Sequence, residues 1–231
     1  MQVIHKTFAP IIRGDQSIPS HLAPALLRRF SSSDGYEIEQ NMVSSFRALK
    51  GLNQKRLFNK IVIGVVTNSD DRVPLILSSF GLNVSPVRHG TEIGTGAISQ
   101  KLYDIDFHCM SYDVGAEKPD RLIFDAAELM LAKIISARDG RNADEAKAEA
   151  QSWDKVYVGD EYSKDVIGAM NASWNAILFE AYSYDAAIPN IKDDTAVNLE
   201  AMFQKSPVVG VDSIKDLVMW LTGDWEAKKD M

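Results

Sequence analysis

Cysteine is nearly absent: Cys109 is the single one in 231 residues, so no intramolecular disulfide can close and no cysteine-based metal cluster can form. That usage fits a reducing compartment, and a cytoplasmic location is expected. The four histidines, His5, His21, His89 and His108, are scattered without ligand spacing, which argues against a histidine metal centre. No apolar run approaches the roughly 18 residues that a membrane span requires. The opening MQVIHKTFAPIIRGD lacks the charged start, apolar stretch and small-residue cleavage site of a secretory signal. Basic residues are in deficit, 25 Lys and Arg against 32 Asp and Glu, for a formal net charge of −7. An acidic surface repels phosphate backbones, so neither nucleic acid nor a membrane is an expected partner. A local pocket can still hold one small phosphate.

With 45% apolar and 25% charged residues, the composition is that of a soluble globular chain. The length suits one good-sized domain, or one domain with a small appendage. Two periodicities divide it. Residues 1–52 read as helical throughout: Val3, Ile4, Thr7, Phe8, Ile11 and Ile12 recur at helical spacing from the first residues. The chain is therefore expected to open inside a helix and to lack an upstream segment. Residues 21–30 form a second helix with Ser20 as N-cap, and residues 37–52 a third that stops at Gly51.

From residue 53 onward, short β-branched runs alternate with amphipathic helices, the pattern of a parallel sheet. Strands are expected at 61–67, 105–110, 155–158, 176–179 and 208–211. Helices are expected at 72–80, ended by Gly81, then at 119–137, 164–171 and 213–221. Pro119 at the first helical position and Asp120 in the first turn support the second of these. Residues 83–103 and 139–152 break the rhythm and read as surface insertions, the latter able to extend a helix. The glycine-rich run from Gly90 to Gly96 lacks the flanking strand and helix of a phosphate cradle and reads as a flexible loop. Cys109 reads as a small buried apolar group, and Trp153, Trp174, Trp220 and Trp225 as packing or near-terminal residues.

Three short motifs fall at the C-terminal ends of successive strands, where open α/β sheets bind ligands. Thr67-Asn68-Ser69-Asp70 offers a hydroxyl, an amide and backbone N–H groups suited to a phosphate oxygen. Read alone, it is more simply a strand-to-helix turn with Asp70 capping the helix. In Gly115-Ala116-Glu117-Lys118-Pro119-Asp120, proline holds a lysine at a helix entrance, where its ammonium can neutralise a phosphoryl group or restrain carboxylates. A lone Lys-Pro is most often a solvated pair. In Gly159-Asp160-Glu161-Tyr162-Ser163-Lys164-Asp165, two carboxylates converge at a buried strand end, the oxygen ligands that Mg²⁺ takes.

Together, in this order, the motifs resemble the haloacid dehalogenase-like hydrolase superfamily. Within it, SYDVGAEKPDRLIFDAA and VYVGDEYSKDVIGAMNASWNAILF are similar to the fungal relatives of its domain-containing protein 3 subgroup. The resemblance spans about residues 30–221. It implies an α/β fold with a doubly wound parallel Rossmann-like sheet: residues 1–52 would be the remnant of a helical cap and 53–231 the core. It also assigns Thr67, Asn68 and Lys118 to phosphate, Lys118 to stabilising phosphoryl and carboxylate groups, and Asp160 with Asp165 to a weak Mg²⁺ site.

One part of that family's pattern is missing. Its nucleophile is the first aspartate of an Asp-x-Asp that ends a strand upstream of the cap. Before Thr67 the chain has only Asp15 and Asp34, neither at the end of an apolar strand. Its single Asp-x-Asp, Asp104-Ile105-Asp106, starts a strand instead of ending one. The resemblance places the missing strand in mid-sheet, between the strands ending at Thr67 and Asp160, so an opening is expected there. Three readings follow: a Mg²⁺-dependent phosphatase of small phosphorylated metabolites without turnover in this chain, a non-catalytic binding or regulatory module, or a truncated gene product. A protein partner, or self-association, through the open strand position belongs with the second.

Overall fold

Among the described residues, five short parallel strands form the middle layer, yet they do not make one sheet. The computed structural model describes residues 19–52, 60–92, 102–181, 187–193 and 199–222; the helical reading of residues 1–18 and most of the glycine-rich run lie outside these. Strand β1 (Gly64–Thr67) pairs in parallel with β2 (Phe107–Met110), with Val65 opposite His108 and Thr67 opposite Met110. Strands β3 (Val156–Gly159), β4 (Asn175–Phe179) and β5 (Val208–Val211) form a second parallel sheet in that order. The architecture is α/β and Rossmann-like, as the sequence implies. Among the described residues no ladder joins β1 to β3, the place where an opening is expected.

Burial shows what this division does. Every residue of β2 and β5 is buried, whereas all four of β3 are only half-buried, and in β1 only Val66 is buried. Middle strands of a continuous sheet are the most covered and its edges the least; here the order is reversed. The outer edges are covered, β2 by bridges from Val84 to Ile105 and Arg88 to His108, and β5 by one from Asn190 to Gly210. Between the inner edges lies a cavity of ≈ 940 Å³ lined by residues of both strands.

Helices cover both faces. On one, α5 (Arg121–Asp139) buries Ile123, Phe124, Ala127, Met130 and Ile134 against both half-sheets. On the other, α9 (Ile214–Thr222) packs with α2 (Met42–Gly51), and Leu52 and Trp220 are fully buried between them and the strands. Expected in a cap remnant, α2 thus contributes to the core.

Several boundaries differ from expectation for identifiable reasons. Helix α1 (Leu22–Ser31) has His21, not Ser20, at its N-cap, with no side-chain cap. Asn41, left-handed at φ 71°, prevents α2 from starting at residue 37, and Gly51 is its last helical residue. Strand β1 starts at Gly64 because Ile63 is bonded elsewhere: its N–H donates to the Asp106 carboxylate at 2.7 Å and its carbonyl accepts the Asp106 N–H at 2.7 Å. Gly64 itself is needed, since a Cβ would sit 2.2 Å from the Phe107 ring. Helix α3 spans Val73–Ser79. Residues 83–88 are not an external insertion but the segment that covers β2, with Leu82 and Val87 buried. After the short α4 (Ser111–Val114), Asp120 is the N-cap of α5 and accepts the Leu122 N–H at 2.9 Å; Pro119 precedes the cap and is not the first helical residue. Residues 143–152 are a separate helix, α6 (Ala143–Ser152), started by an Asn142/Glu145 capping box. A π-turn (Tyr162–Val166) leads into the short α7 (Ile167–Asn171), and α8 (Leu199–Lys205) was not foreseen.

The Asp104/Asp106 pair lies at the far end of the sheet from the motifs, in accord with its rejection as a nucleophile. Asp106 is buried and accepts from Arg138 at 2.7 Å and from Lys50, so it ties α2 and α5 to the start of β2. Burial holds the Lys50 ammonium below its ordinary pKa even beside this carboxylate.

His108, in β2, is fully buried, with Nδ1 3.3 Å from the Val87 carbonyl and Nε2 without a partner. Burial, assisted by Arg88 and opposed by the Val87 carbonyl and Asp113, keeps its pKa below the ordinary histidine value of 6.5. The unfolded chain therefore takes up this proton at a higher pH than the folded one. This contribution to stability is complete above pH 6.5 and is lost as pH falls below it. Urea midpoints measured from pH 7.5 down to 5.5 should fall in the native chain and fall less steeply in His108→Gln; equal slopes would refute this.

Candidate functional site

The C-terminal ends of β1 and β3 face each other across the opening, and loops from both half-sheets converge there. Asn68, just past β1, does not present its carboxamide to a ligand. Its Oδ1 accepts the Lys118 N–H at 2.7 Å and its Nδ2 donates to the Lys118 carbonyl at 3.1 Å. Expected to bind phosphate, Asn68 instead fixes the backbone of the lysine. Thr67 closes β1 half-buried beside it.

Lys118 then reaches over the sheet end, its side chain only 12% exposed. Its Nζ lies 2.7 Å from Asp165 Oδ1 and 2.7 Å from the Tyr157 hydroxyl. Asp165 is buried, and its other oxygen accepts the backbone N–H groups of Asp160 and Glu161 at 3.0 and 2.9 Å. The π-turn brings it there, and Gly159 leaves it room: a Cβ on residue 159 would lie 2.3 Å from Asp165 Oδ2. One carboxylate thus answers a buried cation and ties the loop that carries Asp160. Asp160 ends its strand exposed.

Tyr157 is the residue that sequence reasoning missed. Its hydroxyl accepts from Lys118 and donates to the Val66 carbonyl at 2.9 Å, crossing from one half-sheet to the other. Its ring packs edge-on against Phe124. Burial, and then the negative charge of Asp165, push its pKa above the ordinary phenol range, so it remains a neutral donor. A signal existed: a tyrosine within a buried run needs a partner for its polar tip.

Thr67, Lys118, Asp160 and Asp165 are therefore brought to one place, as their motif order implies. For Mg²⁺ the fit is poor. Asp165 already spends both oxygens, and among the described residues no group of three or more His, Cys, Asp or Glu stands together as a ligand set.

No family model matches the chain. It is 30% identical over 159 residues to a putative uncharacterized hydrolase of Schizosaccharomyces pombe, covering 69% of this chain and 54% of that protein. A second fungal relative, an uncharacterized protein of Saccharomyces cerevisiae, is 26% identical over 178 residues, covering 77% of this chain and 48% of its own length. The chain spans about half the length of the curated relatives it matches. Among solved structures, a HAD phosphatase from Thermococcus onnurineus is similar at 16% identity and a TM-score of 0.47, covering 94% of this chain and 67% of that one. An uncharacterized Listeria monocytogenes protein follows at 18% and 0.43, covering 86% of each.

The two aspartates should respond unequally to substitution. Asp165→Ala strands a buried cation and two loop N–H groups and should cost roughly 3–5 kcal/mol of stability. Asp160→Ala, on an exposed side chain, should stay within about 0.5 kcal/mol. Chemical denaturation of the two variants checks this, and similar losses in both would contradict the assignment.

Proposed function

We propose that this chain is the phosphoryl-site portion of a haloacid dehalogenase-like hydrolase. In this reading it binds a small phosphorylated metabolite at the C-terminal end of the split sheet, and by itself it does not turn that ligand over. The observation that carries the reading is the meeting of Thr67, Lys118 and Asp160 at one strand-end site, with the single Asp-x-Asp of the sequence at the opposite end. Thr67 and the Lys118 ammonium would hold phosphoryl oxygens. Tyr157 and Asn68 position that lysine, one through its side chain and the other through its backbone. Cleavage by covalent catalysis further requires a carboxylate aligned with phosphorus, and the buried carboxylate of the site, Asp165, already has both oxygens engaged.

Binding should be weak, because Lys118 is already neutralised by Asp165 and a phosphate must compete for it. Mg²⁺ should be held weakly for the same reason, and the chemistry is not routed through it. The second reading, a non-catalytic binding or regulatory module, is favoured by that same Lys118–Asp165 pair, which holds the site together without any nucleophile.

Incubation with an aryl phosphate and Mg²⁺ should release no phosphate above background. Titration should give affinities on the order of millimolar or weaker for Mg²⁺. Robust turnover abolished by Asp160→Asn would overturn the proposal.

A further inference from the structure

Tyr157 does more at the site than place Lys118, and the sign of its effect follows from counting protons. A phenol has one hydrogen to donate and lone pairs with which to accept. That hydrogen goes to the Val66 carbonyl at 2.9 Å, so the oxygen meets Lys118 as an acceptor only, 2.7 Å from Nζ. The ring holds the same ammonium, with Nζ 5.1 Å from its centroid. A lysine ammonium carries three donors. Tyr157 takes one of them and Asp165 Oδ1, at 2.7 Å, takes another, which leaves one. A charged phosphoryl oxygen only accepts, and Tyr157 has no hydrogen left to give it. Phenol and phosphoryl group therefore compete for one ammonium. Asp165 competes as well, but it is an ionised acceptor anchored by the Asp160 and Glu161 N–H groups. A neutral acceptor makes the weaker hydrogen bond, so Tyr157 is the contact that yields first.

We propose that the Tyr157 hydroxyl is an autoinhibitory contact on Lys118, and that a phosphoryl ligand selects the state in which this contact is released. With Tyr157 engaged, the ammonium offers a ligand one hydrogen; released, it offers two, and a second phosphoryl oxygen takes the place of the phenol. A ligand that binds one of two states better shifts the population toward that state. The coupling is reciprocal, so whatever strengthens the hold of Tyr157 on Lys118 weakens phosphate by the same factor. The bond between the half-sheets is what makes the restraint: the Val66 carbonyl, in β1, occupies the phenol's only proton and leaves Tyr157, in β3, no role toward an anion except that of a rival. This inference rests on the phosphoryl reading of the site.

The test titrates the full chain with inorganic phosphate, read by the ³¹P signal of the ligand and by the ¹³C resonances of the Tyr157 ring. Tyr157→Phe keeps the ring beside the ammonium and deletes only the oxygen. It should bind phosphate at least about threefold more tightly than the native chain. Equal or weaker binding, the result expected of a hydroxyl that merely positions the lysine, would overturn the inference. In the native chain the Tyr157 resonances should move along the same curve as the phosphate signal. Resonances that stay in place while phosphate binds would overturn it independently, whether or not Tyr157→Phe folds. Lys118→Met should lose phosphate binding. Binding retained in that variant, or absent from every chain, would sink the phosphoryl reading together with this inference, whereas binding that needs Lys118 and ignores Tyr157 sinks this inference alone.

Discussion

A single phenolic oxygen bridges the two halves of this molecule at the end where its chemistry would lie. Tyr157 donates to a carbonyl of β1 and accepts from Lys118, whose backbone is held by Asn68 from the β1 end and whose side chain is held by Asp165 from the β3 end. At the opposite end Asp106 ties Ile63, Lys50 and Arg138 together. Between these two sets of bonds the sheet is open, and α5 spans it by packing on both halves. Each such hydrogen bond has a net worth of about 1 kcal/mol, more where a charge takes part. A continuous ladder would add several, and each buried backbone group left unmet costs roughly 1–3 kcal/mol. Backbone hydrogen bonding within each half therefore exceeds that between them, and the apolar packing of α5 joins the two.

The interactions that assemble the site also restrain it. The charge of Lys118 is already answered at 2.7 Å by a carboxylate that two backbone N–H groups hold in place. A phosphate arriving there gains attraction to the ammonium only by weakening the pair, and it also meets the negative charge of Asp160. A second carboxylate from a middle strand would change this balance by sharing the lysine. Without one, Lys118 and Asp165 act mainly as structure.

Much of this was legible in the residue order. The alternation of β-branched runs with amphipathic helices located all five strands, and the positions of Thr67, Lys118, Asp160 and Asp165 at strand ends were enough to bring them together. The motif that is missing located the opening. What local patterns could not carry were contacts between residues far apart in sequence. Tyr157 bonds to Val66 across 91 positions and Asn68 to Lys118 across 50, and neither leaves a periodic trace. For the same reason Asn68 was read as a ligand when it is a brace, and Asp165 as a metal carboxylate when its oxygens are spent. Residues 83–88 lack a strand's alternation because they meet β2 only at single bridges, and so they resembled an insertion.

The opening between the half-sheets also bears on stability. An apolar opening of ≈ 940 Å³ through the middle of a domain leaves surface in contact with water that would otherwise be buried, at about 25 cal/mol per Å². Domains of this size are stable by only about 5–15 kcal/mol, so even a modest exposed apolar area weighs against the folded state.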